Sequence, residues 1–157
     1  MRPFPISVQL YSVRDAAAKD FPAVLQQIAA IGYVGVEFAG LHGMSPIEVK
    51  HLLDSLGLVT SSCHGGMPDE NNAARLIESA KTLGYSRHIS GFGPDQFATK
   101  DATLAAAATA QNAARLLKPG GLTFGIHNHD FEFNTTFDGL FPHQVFMNAA
   151  PDVFAQI

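Results

Sequence analysis

The 157-residue chain is long enough for one ordinary domain with its own core. Its composition, 46% hydrophobic and 15% charged, excludes a disordered chain, and a formal charge of −4 with ten Lys and Arg and no basic cluster argues against a nucleic-acid partner. No segment approaches the roughly 20 apolar residues of a membrane span; the opening Met1-Arg2-Pro3-Phe4-Pro5 has no signal-peptide core; and the single cysteine, Cys63, leaves no intrachain disulfide, so a reducing cytoplasm is the expected setting.

Residues 6–13 (ISVQLYSV) read as a first strand, and Arg14-Asp15 as a loop carrying a local ion pair. Asp20 is placed to cap a helix with Pro22 in its first turn, and Phe21, Val24, Leu25, Ile28 and Ile31 mark its inward stripe. Gly32 ends that helix, and residues 33–38 (YVGVEF) form the second strand. Ser45-Pro46-Ile47-Glu48 is a capping box with Pro at the first helical position, and Leu52, Leu53 and Leu56 mark the buried stripe up to Gly57. Residues 58–64 (LVTSSCH) make a third strand, broken by Gly65-Gly66. A helix follows from about Asp69 to Gly84, then a fourth strand over 85–90. An alanine-rich helix runs from about Asp101 to Lys118 and stops at Pro119-Gly120-Gly121. The fifth strand covers Leu122 to about His129. Phe137-Asp138-Gly139 is a turn, residues 142–149 a short helix, and residues 153–157 (VFAQI) the start of a sixth strand.

Strand and helix therefore alternate, with a glycine closing each helix before the next strand. The glycine spacings of 25, 27 and 37 residues (Gly32, Gly57, Gly84, Gly121) exclude a solenoid. Continuous apolar strands imply a parallel sheet covered by helices. No Gly-x-Gly-x-x-Gly follows the first strand, so a dinucleotide-binding fold has no support. A (β/α) barrel or another doubly wound sheet remains.

Ligand-type side chains sit late in their strands: Glu37 on the second, His64 on the third, and His127, Asn128, His129, Asp130 and Glu132 at the end of the fifth. Parallel α/β folds carry their sites at this carboxyl edge. His127 and His129 share a face by the period of two; Glu132 has the opposite parity and joins them only if the strand ends or bulges first. Each residue also has a structural reading. His64 fits a hydrogen-bonded strand end, Glu37 fits a buried carboxylate with a partner, Tyr11 and Phe38 fit packing, and Cys63 fits a small core residue. His42, His51, His88 and His143 fit loop or surface positions. Three ligand-type groups within His127–Glu132 are costly in a core strand and mark a site.

Ser7-Val8-Gln9-Leu10-Tyr11-Ser12-Val13-Arg14-Asp15, then Ile31-Gly32-Tyr33-Val34-Gly35-Val36-Glu37-Phe38, then His127-Asn128-His129-Asp130-Phe131-Glu132-Phe133 resemble the xylose isomerase-like TIM-barrel superfamily, and more narrowly its sugar phosphate isomerase/epimerase group. The resemblance runs from about residue 6 to the end. It implies a (β/α)₈ barrel and an isomerase or epimerase that moves a proton alpha to a carbonyl through an enediolate. It also implies a divalent metal (Mn, Mg or Zn) held by Glu, Asp, His and Glu. Glu132 is then the first metal ligand, His127 and His129 orient substrate or relay protons, and Glu37 and His64 contact the hydroxyls of a small carbohydrate. Dehydratases and lyases of the superfamily share the alpha-proton step. The superfamily's apurinic-site endonuclease branch needs a basic groove that the charge of −4 does not offer.

Such a barrel needs about 250 residues. The expectation is therefore the N-terminal portion of one barrel domain, truncated to about five βα units plus the start of strand six, with one metal ligand of four. On that reading the chain is a fragment, weakly active or inactive alone. The alternative is a short protein that completes its barrel by association, including homo-oligomerisation through unpaired sheet edges, or a non-catalytic binding module.

Overall fold

The first long helix ends where Gly32 takes φ 106°, and the next where Gly57 takes φ 68°; these left-handed caps turn the chain into the following strand without the Cβ clash another residue would meet. In the computed structural model, described over residues 4–157, two compact units are present. The first runs up to Gly65 and includes Glu78–Ser86; the second comprises Gly66–Ile77 and Arg87–Ile157.

In the first unit, β1 (Ser7–Gln9), β2 (Gly35–Phe38) and β3 (Val59–His64) pair in parallel and in sequence order. The helices are α1 (Arg14–Ala17), α2 (Phe21–Ile31) and α3 (Pro46–Leu56). Asp20 caps α2 by accepting the Ala23 N–H at 3.0 Å. Ser45 and Glu48 form the reciprocal box at the start of α3, at 3.4 and 2.8 Å. Leu25, Val36, Phe38, Val49 and Leu53 are at most 1% exposed and form the core. Each such side chain contributes about 1.5–3 kcal/mol through burial. Helix α4 (Ala73–Leu83) has its last six residues in this unit, where the Leu83 carbonyl accepts from Thr60 Oγ1 at 2.9 Å.

In the second unit, β4 (Arg87–Ser90), β5 (Thr123–His127) and β6 (Val153–Gln156) are parallel, again in sequence order, with α5 (Lys100–Leu117) and α6 (Pro142–Ala149) between them. The buried face of α5 is mostly alanine (Ala106, Ala107, Ala110, Ala113, Ala114), which lets the helix lie close to its neighbours, while Phe124, Ile126 and Phe146 fill the core. Gln111 of α5 and Asp152, just before β6, form a two-bond bracket: the amide donates to Asp152 Oδ2 at 2.6 Å and accepts the Asp152 N–H at 3.2 Å. Across β5 and β6, Gly125 faces Phe154, whose ring occupies the space of a Cβ; one added at 125 would lie 2.3 Å from it.

Several expectations need correction. The first strand stops at Gln9; Leu10–Val13 is a 3₁₀ turn and Arg14 opens α1 rather than a loop. Tyr11 is 58% exposed, and the Arg14 guanidinium lies over its ring at 4.5 Å while donating to the Tyr11 carbonyl at 3.0 Å. Ile31 is 74% exposed because it falls on the last turn of α2, past the buried stripe. In α3 the stripe centres on Val49 and Leu53, with Leu52 and Leu56 only half-buried. The helix expected from Asp69 begins at Ala73, because Asp69 instead closes a turn by accepting the N–H groups of Asn71 and Asn72. The fifth strand ends at His127, two residues early. His88 is not a surface residue: it lies on β4 with no exposure. No helix among the described residues is long and apolar enough to cross a membrane.

Candidate active site

In the first unit, strand pairing lines up Gln9, Glu37 and Ser62, one residue from each of β1, β2 and β3. Neighbours in parallel register point to the same face. Glu37 is 7% exposed and accepts from Gln9 Nε2 at 2.6 Å through Oε1, and from Ser62 Oγ through Oε2. His64, two residues beyond Ser62, ends the strand half-buried on that face. Burial pushes the neighbouring Cys63 thiol up to about 11, against a hydrogen bond with Tyr85, and the charge of Glu37 adds to the rise; the thiol is inert at neutral pH. Neither Gln9 nor Ser62 was singled out from sequence. Both are ordinary strand residues there, and only the pairing register shows what they face.

In the second unit, β5 delivers His127 at its last position, opposite Gln156 of β6. The backbone then leaves the strand. His129, extended at φ −125°, precedes a 3₁₀ turn over Asp130–Phe133. Abandoning the period of two this early turns Glu132 into the interior, where it has no exposure. Its Oε1 accepts the His129 N–H at 3.3 Å and lies 3.8 Å from His129 Nδ1. Its Oε2 is buried without a hydrogen-bond partner among the described residues, as is Asn128 Oδ1. Burial pushes the Glu132 carboxyl up to about 7, and the His129 N–H bond only partly opposes this.

The imidazoles of His127 and His129 meet edge to face, with centroids 5.2 Å apart. His129 stacks on Phe131 at 4.9 Å and 15°, and Phe131 leans on the buried Phe97 at 6.0 Å. One side of His129 is thereby fixed while its side chain stays 44% exposed. This unit thus brings His127, His129 and Glu132 together, and the first unit carries Glu37 and His64.

Of the other histidines, His88 bonds the Gly66 carbonyl through Nε2 at 3.0 Å and stacks on Phe124, and its burial lowers its basicity. His143 of α6 stacks on Phe133 at 5.0 Å and is likewise lowered by burial. His42 lies tilted against Phe21 at 4.7 Å, and His51 is exposed on α3.

Glu132 fits a metal ion as one ligand: a buried carboxylate with an unpartnered oxygen asks for a cation or a donor. Among the described residues, however, no three His, Cys, Asp or Glu side chains gather into a group able to hold one.

No protein-family model matches the sequence, and no curated protein matches it significantly. Solved structures do. A sugar phosphate isomerase/epimerase from Parabacteroides distasonis aligns with 99% of this chain at a TM-score of 0.77 and 21% identity. A family 2 AP endonuclease from Brucella melitensis aligns with 98% at 0.70 and 16% identity. A xylose isomerase-like TIM-barrel protein from Mycobacterium smegmatis, in complex with magnesium, aligns with 97% at 0.68 and 17% identity. The chain spans 65%, 68% and 63% of those proteins, respectively. These likenesses show the fold, that of the TIM barrels among these structures, and the described residues contribute six parallel strands to it.

Proposed function

We propose that the chain carries part of the site of a sugar, or sugar phosphate, isomerase or epimerase. The observation that carries this reading is Glu132: a carboxylate with no exposure, one oxygen unpartnered, set by a 3₁₀ turn beside two touching imidazoles. Glu132 supplies one ligand to a divalent cation, which when bound polarises the substrate's carbonyl. The half-exposed His129 moves a proton at the carbon alpha to that carbonyl, its ring plane set by Phe131. His127 lies at the edge of His129 and orients substrate. Within the first unit, Glu37 and His64 are the groups read as contacting sugar hydroxyls. Returning the proton to the neighbouring carbon isomerises the sugar; returning it to the opposite face of the same carbon epimerises it. The magnesium bound by the Mycobacterium smegmatis protein and the isomerase/epimerase description of the Parabacteroides distasonis protein support the reading.

With one ligand assigned, this chain binds the cation weakly. The test is a Mn²⁺ titration followed by NMR. Paramagnetic broadening should begin at residues 127–132 and vanish in Glu132→Gln. Broadening that begins elsewhere, or survives the substitution, refutes the reading.

A further inference from the structure

The turn that leads from the Glu132 segment into α6 carries chemistry that the proposed reaction does not use. It holds Asp138-Gly139, the one Asp-Gly pair in the sequence. Asp138 takes φ 52° and Gly139 φ 83°, both in the left-handed region, as the two central positions of a type I′ turn require. Phe137 and Leu140 close the turn by exchanging hydrogen bonds, the Phe137 N–H donating at 2.8 Å and the Leu140 N–H at 3.0 Å. These bonds form an isolated bridge, and residues 134–136 and 138–141 are exposed around it. The Gly139 N–H has no acceptor among the described residues.

An aspartate followed by glycine can close a five-membered ring on its own backbone. The Gly139 nitrogen bonds to Asp138 Cγ, the Cγ–OH bond breaks, and the hydroxyl leaves as water with the nitrogen's proton, giving a succinimide. Water then opens the ring at either carbonyl. Attack at Cγ restores aspartate; attack at the main-chain carbonyl carbon of Asp138 leaves isoaspartate. Water is the only co-reactant. Glycine favours the closure because it has no Cβ to crowd the attacking nitrogen, and the Asp138 side chain is 77% exposed, open to that water. One contact opposes it. Lys100, the first residue of α5, donates to Asp138 Oδ2 at 2.6 Å and holds the carboxyl below its usual value, which depletes the protonated acid that loses water. An exposed ion pair shifts an equilibrium by at most about fivefold, so this one slows the closure without preventing it.

We infer that Asp138-Gly139 is a site of spontaneous backbone modification, where isoaspartate accumulates as the protein ages, and that Lys100 is the contact restraining it. In the product the main chain runs through Cβ and Cγ and is one carbon longer, while the free carboxylate sits directly on Cα. The type I′ geometry and the Lys100 bond both depend on the arrangement that is lost. The aged chain therefore loses the tie between α5 and the turn that follows Glu132. The site is independent of the proposed sugar chemistry.

The experiment ages the purified full chain at physiological temperature and neutral pH for several weeks. Peptides from each time point are separated and fragmented by electron transfer, which distinguishes isoaspartate from aspartate and locates it. Isoaspartate at Asp138 should grow with time, preceded by a form of the same peptide lighter by one water. Asp138→Glu keeps the charge but would have to close a six-membered ring, and should show neither species. Lys100→Met should speed the accumulation about two- to fivefold, the span an exposed ion pair allows. An unmodified Asp138 after several weeks, or isoaspartate growing only at other aspartates, overturns the inference. A Lys100→Met rate no faster than that of the wild type overturns the restraining role of Lys100.

Discussion

Replacing Glu132 with glutamine removes a charge and keeps the shape, and the consequence for stability depends on pH in a defined direction. The folded carboxyl has a value of about 7 against an ordinary 4.5. Between those values the folded chain keeps a proton that the unfolded chain has released, so stability falls as pH rises through the window. At about 1.4 kcal/mol per tenfold difference in acidity, the penalty approaches about 3 kcal/mol at pH 8 and stays below about 1 kcal/mol at pH 5. Glu132→Gln escapes it. The variant should therefore gain on the wild type by about 2–3 kcal/mol between pH 5 and pH 8. Urea unfolding followed by circular dichroism, at fixed ionic strength and without divalent metal, measures this directly. Parallel pH curves for the two proteins would refute the claim that burial strains this carboxylate.

Two further predictions concern packing and a second buried titratable group. Gly125→Ala should destabilise the fold by about 1–3 kcal/mol, the usual cost of overpacking, because the new methyl meets the Phe154 ring; Phe154→Leu in the same chain should recover part of the loss, and a single variant as stable as wild type would show that the ring moves freely. His88 is buried and held below its ordinary value of 6.5, so the stability it secures is complete above about pH 6.5 and is lost as pH falls below it. His88→Gln, which can still donate to the Gly66 carbonyl, should flatten the fall in urea midpoint between pH 7 and pH 5. The effect is partial because His143 acts in the same direction, and an unchanged slope would exclude His88 from the acid response.

The punctuation of this fold was legible from sequence because it is local. Asp20, Gly32, the Ser45–Glu48 box and Gly57 act through bonds that close within a few residues, and all stand where expected. Strand ends were not legible, because an apolar run does not announce where it converts to a 3₁₀ turn; Leu10–Val13 and Asp130–Phe133 were both affected. The histidine and glutamate cluster was visible as composition, and the alternatives for Glu132 were framed by parity. What placed it inside was the early end of β5, a property of the backbone. Gln9 and Ser62 were invisible because their role arises from register across three strands, including a one-residue bulge. His88 was misplaced for a similar reason: its partner, the Gly66 carbonyl, lies 22 residues away and leaves no local pattern.

The bracket between Gln111 and Asp152 has a mechanical consequence for the candidate site. The two residues are 41 apart in sequence, and their paired bonds anchor the chain at the point where β6 sets out. A strand anchored just before its first residue has its phase set along its whole length, since slipping by one would turn every side chain to the other face. Four residues on from that anchor, the phase puts Gln156 beside His127. The bracket thus acts as an origin from which the strand is measured, and a disturbance at the base of β6 would be felt as a misplaced amide at its tip, where the imidazoles begin.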